Sequence, residues 1–330
     1  MKIGGELLSR NRMELYGIAT LGIILVHAQS VVVSLPAAVL KVLSFGGIGV
    51  YIFAFLSGIG LSFSMDKYSS CAGGVKQYYE NRIKRVVIPY LVMALLWYGI
   101  EYLFLQVKPV EILYEISTLS FWIEHKGAWY VAMLLPVYLV YPFYYCWNKQ
   151  KIANTIIVCI IMLFITIVLS IVKPNLYTHL SQVLYSLIAI AIGTQCANMV
   201  KKGHNMMWVA LIAVFPYIMR IILKIDWLFL GTLSYALLGI SAAIVFSEII
   251  EKIPQVLNNY LKKLGLNSFE MYLANIFLIQ AFHIFLVNDD GSLSLALSMV
   301  IYFCIIALSV VWSLVTKYFT RHINAVLFAH

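Results

Sequence analysis

The run Ile152–Ile171 is twenty residues long and carries no charged residue. A helix of that length spans about 30 Å, the thickness of a bilayer's hydrocarbon core. A barrel strand would be about half as long and would alternate apolar with polar residues, which this run does not do. Runs of the same kind recur near 16–35, 45–65, 86–106, 128–147, 152–172, 177–199, 206–224, 227–250, 267–287 and 293–316. The sequence therefore predicts an all-α fold, a polytopic transmembrane helix bundle of about ten spans. A water-soluble domain is excluded, because with 62% hydrophobic and only 11% charged residues it would expose more apolar surface than water tolerates.

The punctuation agrees with this division. Pro36, Pro109, Pro174 and Pro254 fall between runs, where a missing N–H costs least. Pro89, Pro136, Pro142 and Pro216 fall inside them, which membrane helices tolerate when neighbours satisfy the freed carbonyls. Orientation follows from the cations. Alternating the loops places 17 of the 23 Lys and Arg residues on the side of the N-terminus and 6 on the other, so both termini are expected in the cytoplasm. The net charge of +9 then reflects this asymmetry rather than affinity for nucleic acid. No cleavable leader is expected ahead of the first run, and no loop is long enough to hold a second domain, so residues 1–330 read as one membrane domain. The five cysteines, Cys71, Cys146, Cys159, Cys196 and Cys304, show no metal or redox spacing and read as small apolar residues; no metal site is expected.

Ionisable residues inside spans are costly, which makes them functional candidates. The first run holds one, His27, eleven residues after Tyr16 and so on nearly the same helix face. A cytoplasmic segment carries Arg82 and Arg85, spaced to project from one side of a helix and suited to gripping a phosphate. Gly46, Gly47, Gly49, Ser57 and Gly58 supply small residues for close helix approach. Trp129 and Tyr130 open the fourth run at the outer interface, and Ser268, Glu270, Tyr272 and Asn275 open the ninth with a carboxylate and an amide.

Taken in order, these features resemble the acyltransferase 3 family of integral membrane O-acyltransferases. The likeness runs from Glu14-Leu15 through His27, Ser57-Gly58, Arg82-x-x-Arg85-x-x-x-Pro89-Tyr90 and Trp129 to Ser268-x-Glu270-x-Tyr272-Leu273. The chain departs from the family pattern twice. Tyr16 stands where an arginine or lysine is usual, with Arg12 and Arg10 one to two turns earlier, and Asn275 stands where the late motif often has histidine.

The resemblance implies a protein of the bacterial cytoplasmic membrane, with acyl-CoA, most simply acetyl-CoA, as donor substrate and no permanently bound cofactor. It implies a hydroxyl of a cell-surface polysaccharide or glycolipid as acceptor and membrane lipid as solvent. His27 would be the general base or acyl carrier, its imidazole suited to neutral pH. Arg82 and Arg85, with Arg12 and Tyr16, would hold the donor. Ser57, Trp129, Tyr130, Glu270 and Asn275 are candidates for orienting the ring or substrate. A saccharide transporter or flippase, with His27 and Glu270 lining a polar path, is the rival reading, but the inverted repeats typical of transporters are not evident. A structural subunit of a polysaccharide assembly is the third.

Overall fold

The computed structural model of the chain describes residues 3–68, 73–225, 227–285 and 294–328. Lys2, Cys71, the 286–287 end of the ninth predicted span and the 293 start of the tenth lie outside these residues. Ten principal helices stand where the ten runs are predicted: α1 Arg12–His27, α2 Ile48–Tyr68, α3 Ile88–Leu105, α4 Trp129–Asn148, α5 Ile152–Val172, α6 Pro174–Lys201, α7 Met207–Ile222, α8 Leu228–Ile250, α9 Ser268–Phe285 and α10 Leu295–Leu327. Among the described residues there is no strand, and an isolated bridge joins Gly4 to Asn205. Among these residues, eight helical segments are long and apolar enough to cross a membrane. The other two, α1 and α7, have 16 residues each, or about 24 Å of helix.

Two boundaries differ instructively from expectation. The first run is apolar to 35, yet α1 stops at His27, continues as a 3₁₀ turn over Ala28–Ser30 and then unwinds. Ser30 Oγ donates to the His27 carbonyl at 2.6 Å, Ser34 adopts a positive φ, and Pro36 disfavours helix in the residue before it. Conversely, α10 runs on to Leu327, eleven residues past its predicted end, because its sequence offers neither glycine nor proline to stop it.

The chain forms two compact units interleaved in sequence. The first comprises Met1–Gly22, Gly47–Val75 and Val140–Leu266. Within it α6 is the centre and α5 the edge: 72% of the most apolar stretch of α6 is buried, against 11% for α5, whose isoleucines are left to face lipid. Apolar side chains gain nothing by leaving lipid for each other, so close packing must hold such helices together. Here the packing is backbone on backbone. A Cβ on Gly58 of α2 would collide with the Ile190 carbonyl of α6, and one on Gly193 of α6 would collide with the Phe55 carbonyl of α2. Gly17 of α1 meets the Leu261 carbonyl and Gly265 the Met13 carbonyl in the same way. Those last contacts seat an amphipathic helix, Gln255–Leu266, in a stretch read from sequence as a loop. The N-terminal segment is fastened to the turn between α6 and α7: Ile3 N–H donates to Asn205 Oδ1 at 3.0 Å, Gly5 N–H to the His204 carbonyl at 2.8 Å, and Met206 N–H to the Ile3 carbonyl at 2.8 Å.

The second unit comprises Ile23–Gly46, Lys76–Leu139 and Asn267–His330. Rings and hydroxyls do the packing here. Trp97 of α3 stacks on Phe277 of α9 with centroids 5.7 Å apart. The buried face of α10 runs Ser298, Tyr302, Ile305, Ser309, Ser313 and Thr316, a largely hydroxylated stripe at steps of three and four, while Val300, Phe303 and Val311 point outward. Polar-in and apolar-out is what a lipid solvent demands.

Candidate functional site

His27 is the last residue of α1, and the second unit fixes its ring and the chain on either side. Its Nδ1 lies 2.8 Å from Asn275 Oδ1. Asn275 is fully buried near the middle of α9, seven residues or about 10 Å past Ser268. An amide oxygen only accepts, so this contact puts the hydrogen on Nδ1 and leaves Nε2 with a free lone pair. Tyr302 of α10, which also lies beside the Asn275 amide, donates its hydroxyl to the Ile24 carbonyl in the last turn of α1. One turn away on α10, Ser298 Oγ accepts from the Val33 N–H at 3.3 Å. Gln29 Nε2 donates to the Leu40 carbonyl and to Ser44 Oγ, both at 3.1 Å. The half-buried ring therefore projects from a helix end held both before and after it.

In the first unit, the other end of α1 explains the tyrosine at position 16. The Arg12 guanidinium donates to the Tyr16 hydroxyl from Nε at 3.2 Å and from Nη2 at 3.0 Å, with its carbon 5.4 Å from the Tyr16 ring centroid. The ring itself is stacked on Phe53 at 5.1 Å. The guanidinium lies on Gly60 of α2, where any side chain would occupy its place. Arg12 and Tyr16 are one helical turn apart, so the hydroxyl draws the cation up to its own level. A cation thus stands beside the Tyr16 hydroxyl.

The arginine pair sits at a break in helix type. The helix Gly74–Arg82 passes through a π-helical turn, Ile83–Val87, into α3. Pro89 has no N–H for the Arg85 carbonyl, and the Ile88 N–H reaches back five residues to Ile83. Arg82 is half-buried with its guanidinium 5.2 Å from the Tyr78 ring centroid and 5.5 Å from that of Tyr138, whereas Arg85 is exposed. Asn324 Nδ2 binds the intervening Lys84 carbonyl at 3.2 Å. π turns of this kind are often found at functional sites.

The remaining candidates separate. Tyr130 packs edge-on against Tyr272 at 6.0 Å and against Trp129 at 5.5 Å. Glu270, half-buried in the first turn of α9, faces Lys317, whose Nζ donates to Asn267 Oδ1 at 2.8 Å. Ser57 is half-buried on α2, beside the Gly58 contact. Of the orienting candidates, Asn275 is the one bonded to the His27 ring. Tyr302 is absent from the sequence-derived set. Its signal is a tyrosine in an otherwise apolar run, four residues from Ser298.

Compared with known proteins, the chain matches the family model of the acyltransferase 3 domain over residues 15–318. No curated protein and no solved structure matches it.

Proposed function

The chain belongs to this acyltransferase family, and we propose that it moves an acyl group from cytoplasmic acyl-CoA to a hydroxyl of a cell-surface polysaccharide or glycolipid, from a seat in the bacterial cytoplasmic membrane. The observation that carries this reading is the His27–Asn275 pair, which supplies a base with an open nitrogen. His27 Nε2 takes the proton of the acceptor hydroxyl as the oxygen attacks the thioester carbonyl. The tetrahedral intermediate collapses with cleavage of the C–S bond, and the imidazolium returns the proton to the departing CoA thiolate. Asn275 holds the tautomer through both transfers. Arg12, presented by Tyr16, supplies a cation for the donor's phosphates, and Arg82 and Arg85 are further cations on the side from which the donor comes.

Mass spectrometry of surface glycans from cells with the protein, without it, and with His27→Ala tests this reading. The expected result is an acyl mass increment present only with the unaltered protein, at equal membrane abundance of the variant. General-base catalysis is worth about 10²–10⁴-fold, so a variant retaining more than about a tenth of the activity would count against the assignment. Unchanged glycan acylation on deletion would turn attention to transport.

A further inference from the structure

An open cleft of about 550 Å³ lies in the first unit, between the short helix Glu6–Arg10 and the C-terminal ends of α2 and α6. Its volume falls in the range of small-molecule sites. Three cations border it, Arg10, Lys67 and Lys201, along with two carboxylates, Glu6 and Asp66, and the half-buried ring of Phe63. The walls are held in place. Asp66 takes a hydrogen bond from the Tyr145 hydroxyl and an ion pair from Lys201 at 3.4 Å. Arg10 is paired with Glu251 at 2.6 Å, and Asn11 and Arg10 together hold the Glu251 carboxyl below the usual carboxylate range. Glu6 lies against the backbone of Gly4 and Gly203, in the segment fastened to the α6–α7 turn.

This lining selects among ligands. A simple anion would use the cations but leave the two carboxylates and the ring unused. A nucleotide uses both signs. Its phosphates take the cations, its amino group and free ribose hydroxyl donate to carboxylates, and its base packs on an aromatic ring. The cleft also lines up with the Arg12 site. Gly60, which carries the Arg12 guanidinium, Phe63 and Lys67 follow one another on α2 at steps of three and four, and so share a face. Gly60 and Lys67 are two turns apart, about 10 Å, which gives two cationic stations with a ring between them. That is the scale of a nucleotide bearing phosphates on both sides of its ribose. The cation asymmetry puts Arg10, Lys67 and Lys201 on the cytoplasmic side, the side from which the donor comes.

Resting on the acyl-CoA reading above, we propose that this cleft receives the adenosine 3′,5′-bisphosphate end of the donor, with the 3′-phosphate on Lys67 and Arg10 and the diphosphate toward Arg12. The test is titration calorimetry of the purified full-length protein with CoA and with dephospho-CoA, which lacks only the 3′-phosphate. The unaltered protein is expected to bind CoA at least about tenfold more tightly, as loss of charge-assisted hydrogen bonds implies. Lys67→Ala should reduce that preference several-fold, with Arg10 keeping the remainder, and should weaken CoA more than dephospho-CoA. Ser9→Trp, which fills the cleft without altering a charge, should weaken both ligands. Equal affinity of the unaltered protein for the two ligands, or an undiminished preference in Lys67→Ala, overturns the cleft assignment and leaves acyl-CoA as donor. Failure of the unaltered protein to bind CoA at all overturns the donor reading itself.

Discussion

The two units solve one problem, holding helices together in lipid, by different means. In the first, α2 and α6 meet through Gly58 and Gly193, each pressed on a carbonyl of the other helix. In the second, the comparable contacts belong to side chains: Trp97 on Phe277, Tyr302 on Ile24, and Asn275 on His27. A bare backbone contact leaves no room for adjustment and offers no donor or acceptor that a substrate could use. A side-chain contact is softer and chemically equipped. On the proposed function, the contrast sets rigid glycine crossings against a tyrosine–asparagine–histidine set equipped for chemistry, and it can be broken at either end.

The sharpest break is Gly58→Val. The new side chain meets a backbone carbonyl, which cannot rotate away as the end of a flexible side chain can. The cost should exceed the roughly 1–3 kcal/mol typical of overpacking, because the helices must separate. Thermal unfolding in detergent is expected to show a large loss of midpoint or no folded protein at all. Trp97→Leu, in the second unit, should lower the midpoint far less. Similar losses for the two variants would erase the distinction.

Asn275 tests the other side of the comparison, with activity rather than fold as the readout. Asn275→Ala leaves the His27 ring without the partner that sets its tautomer, and misplacement of a catalytic group by about 1 Å can cost around 10²-fold. The turnover number should fall by about 10–100-fold, with the melting midpoint shifting much less than for Gly58→Val. Asn275→His restores an acceptor only while the new imidazole is neutral. The acid limb of that variant's activity should therefore differ from the parent's, because protonation of a second imidazole then also removes the acceptor that orients His27. A pH profile unchanged from the parent's would show that position 275 does not set the state of His27.

How far the sequence discloses all this depends on the range of the interaction. The ten runs and the isolated histidine are local patterns, and each is readable from spacing alone. The helix Gln255–Leu266 is less so, because its two lysines and low hydropathy resemble a loop until Gly17 and Gly265 are seen against the backbone. Pro89 is visible in the sequence, but its effect is not, since a π turn forms only if helix continues on both sides. The His27–Asn275 bond joins residues 248 apart, and no periodicity reports such a contact. The cleft beside Lys67 is of the same kind, assembled from three distant stretches of chain.

The smallest expected effect concerns Tyr16, where local pattern and tertiary contact meet. The sequence shows an arginine one turn before a tyrosine, and the structure shows the hydroxyl accepting from that arginine twice while Phe53 holds the ring flat. Tyr16→Phe keeps the stack and removes only the acceptor. Arg12 then keeps its charge but loses its fixed position, so CoA affinity should fall by the worth of a hydrogen bond or two, about 0.5–1.5 kcal/mol each, or roughly 2–12-fold for one. Arg12→Ala removes the charge and should cost more, about 1.5–3 kcal/mol. Tyr16→Arg places a second cation at that level and should match or exceed the parent's affinity, most visibly at low salt. Titration calorimetry at two ionic strengths separates these cases. If Tyr16→Phe costs as much as Arg12→Ala, the hydroxyl contacts the donor directly rather than presenting the arginine. If Tyr16→Arg abolishes binding, the tyrosine is required for itself and does not stand in for a displaced charge.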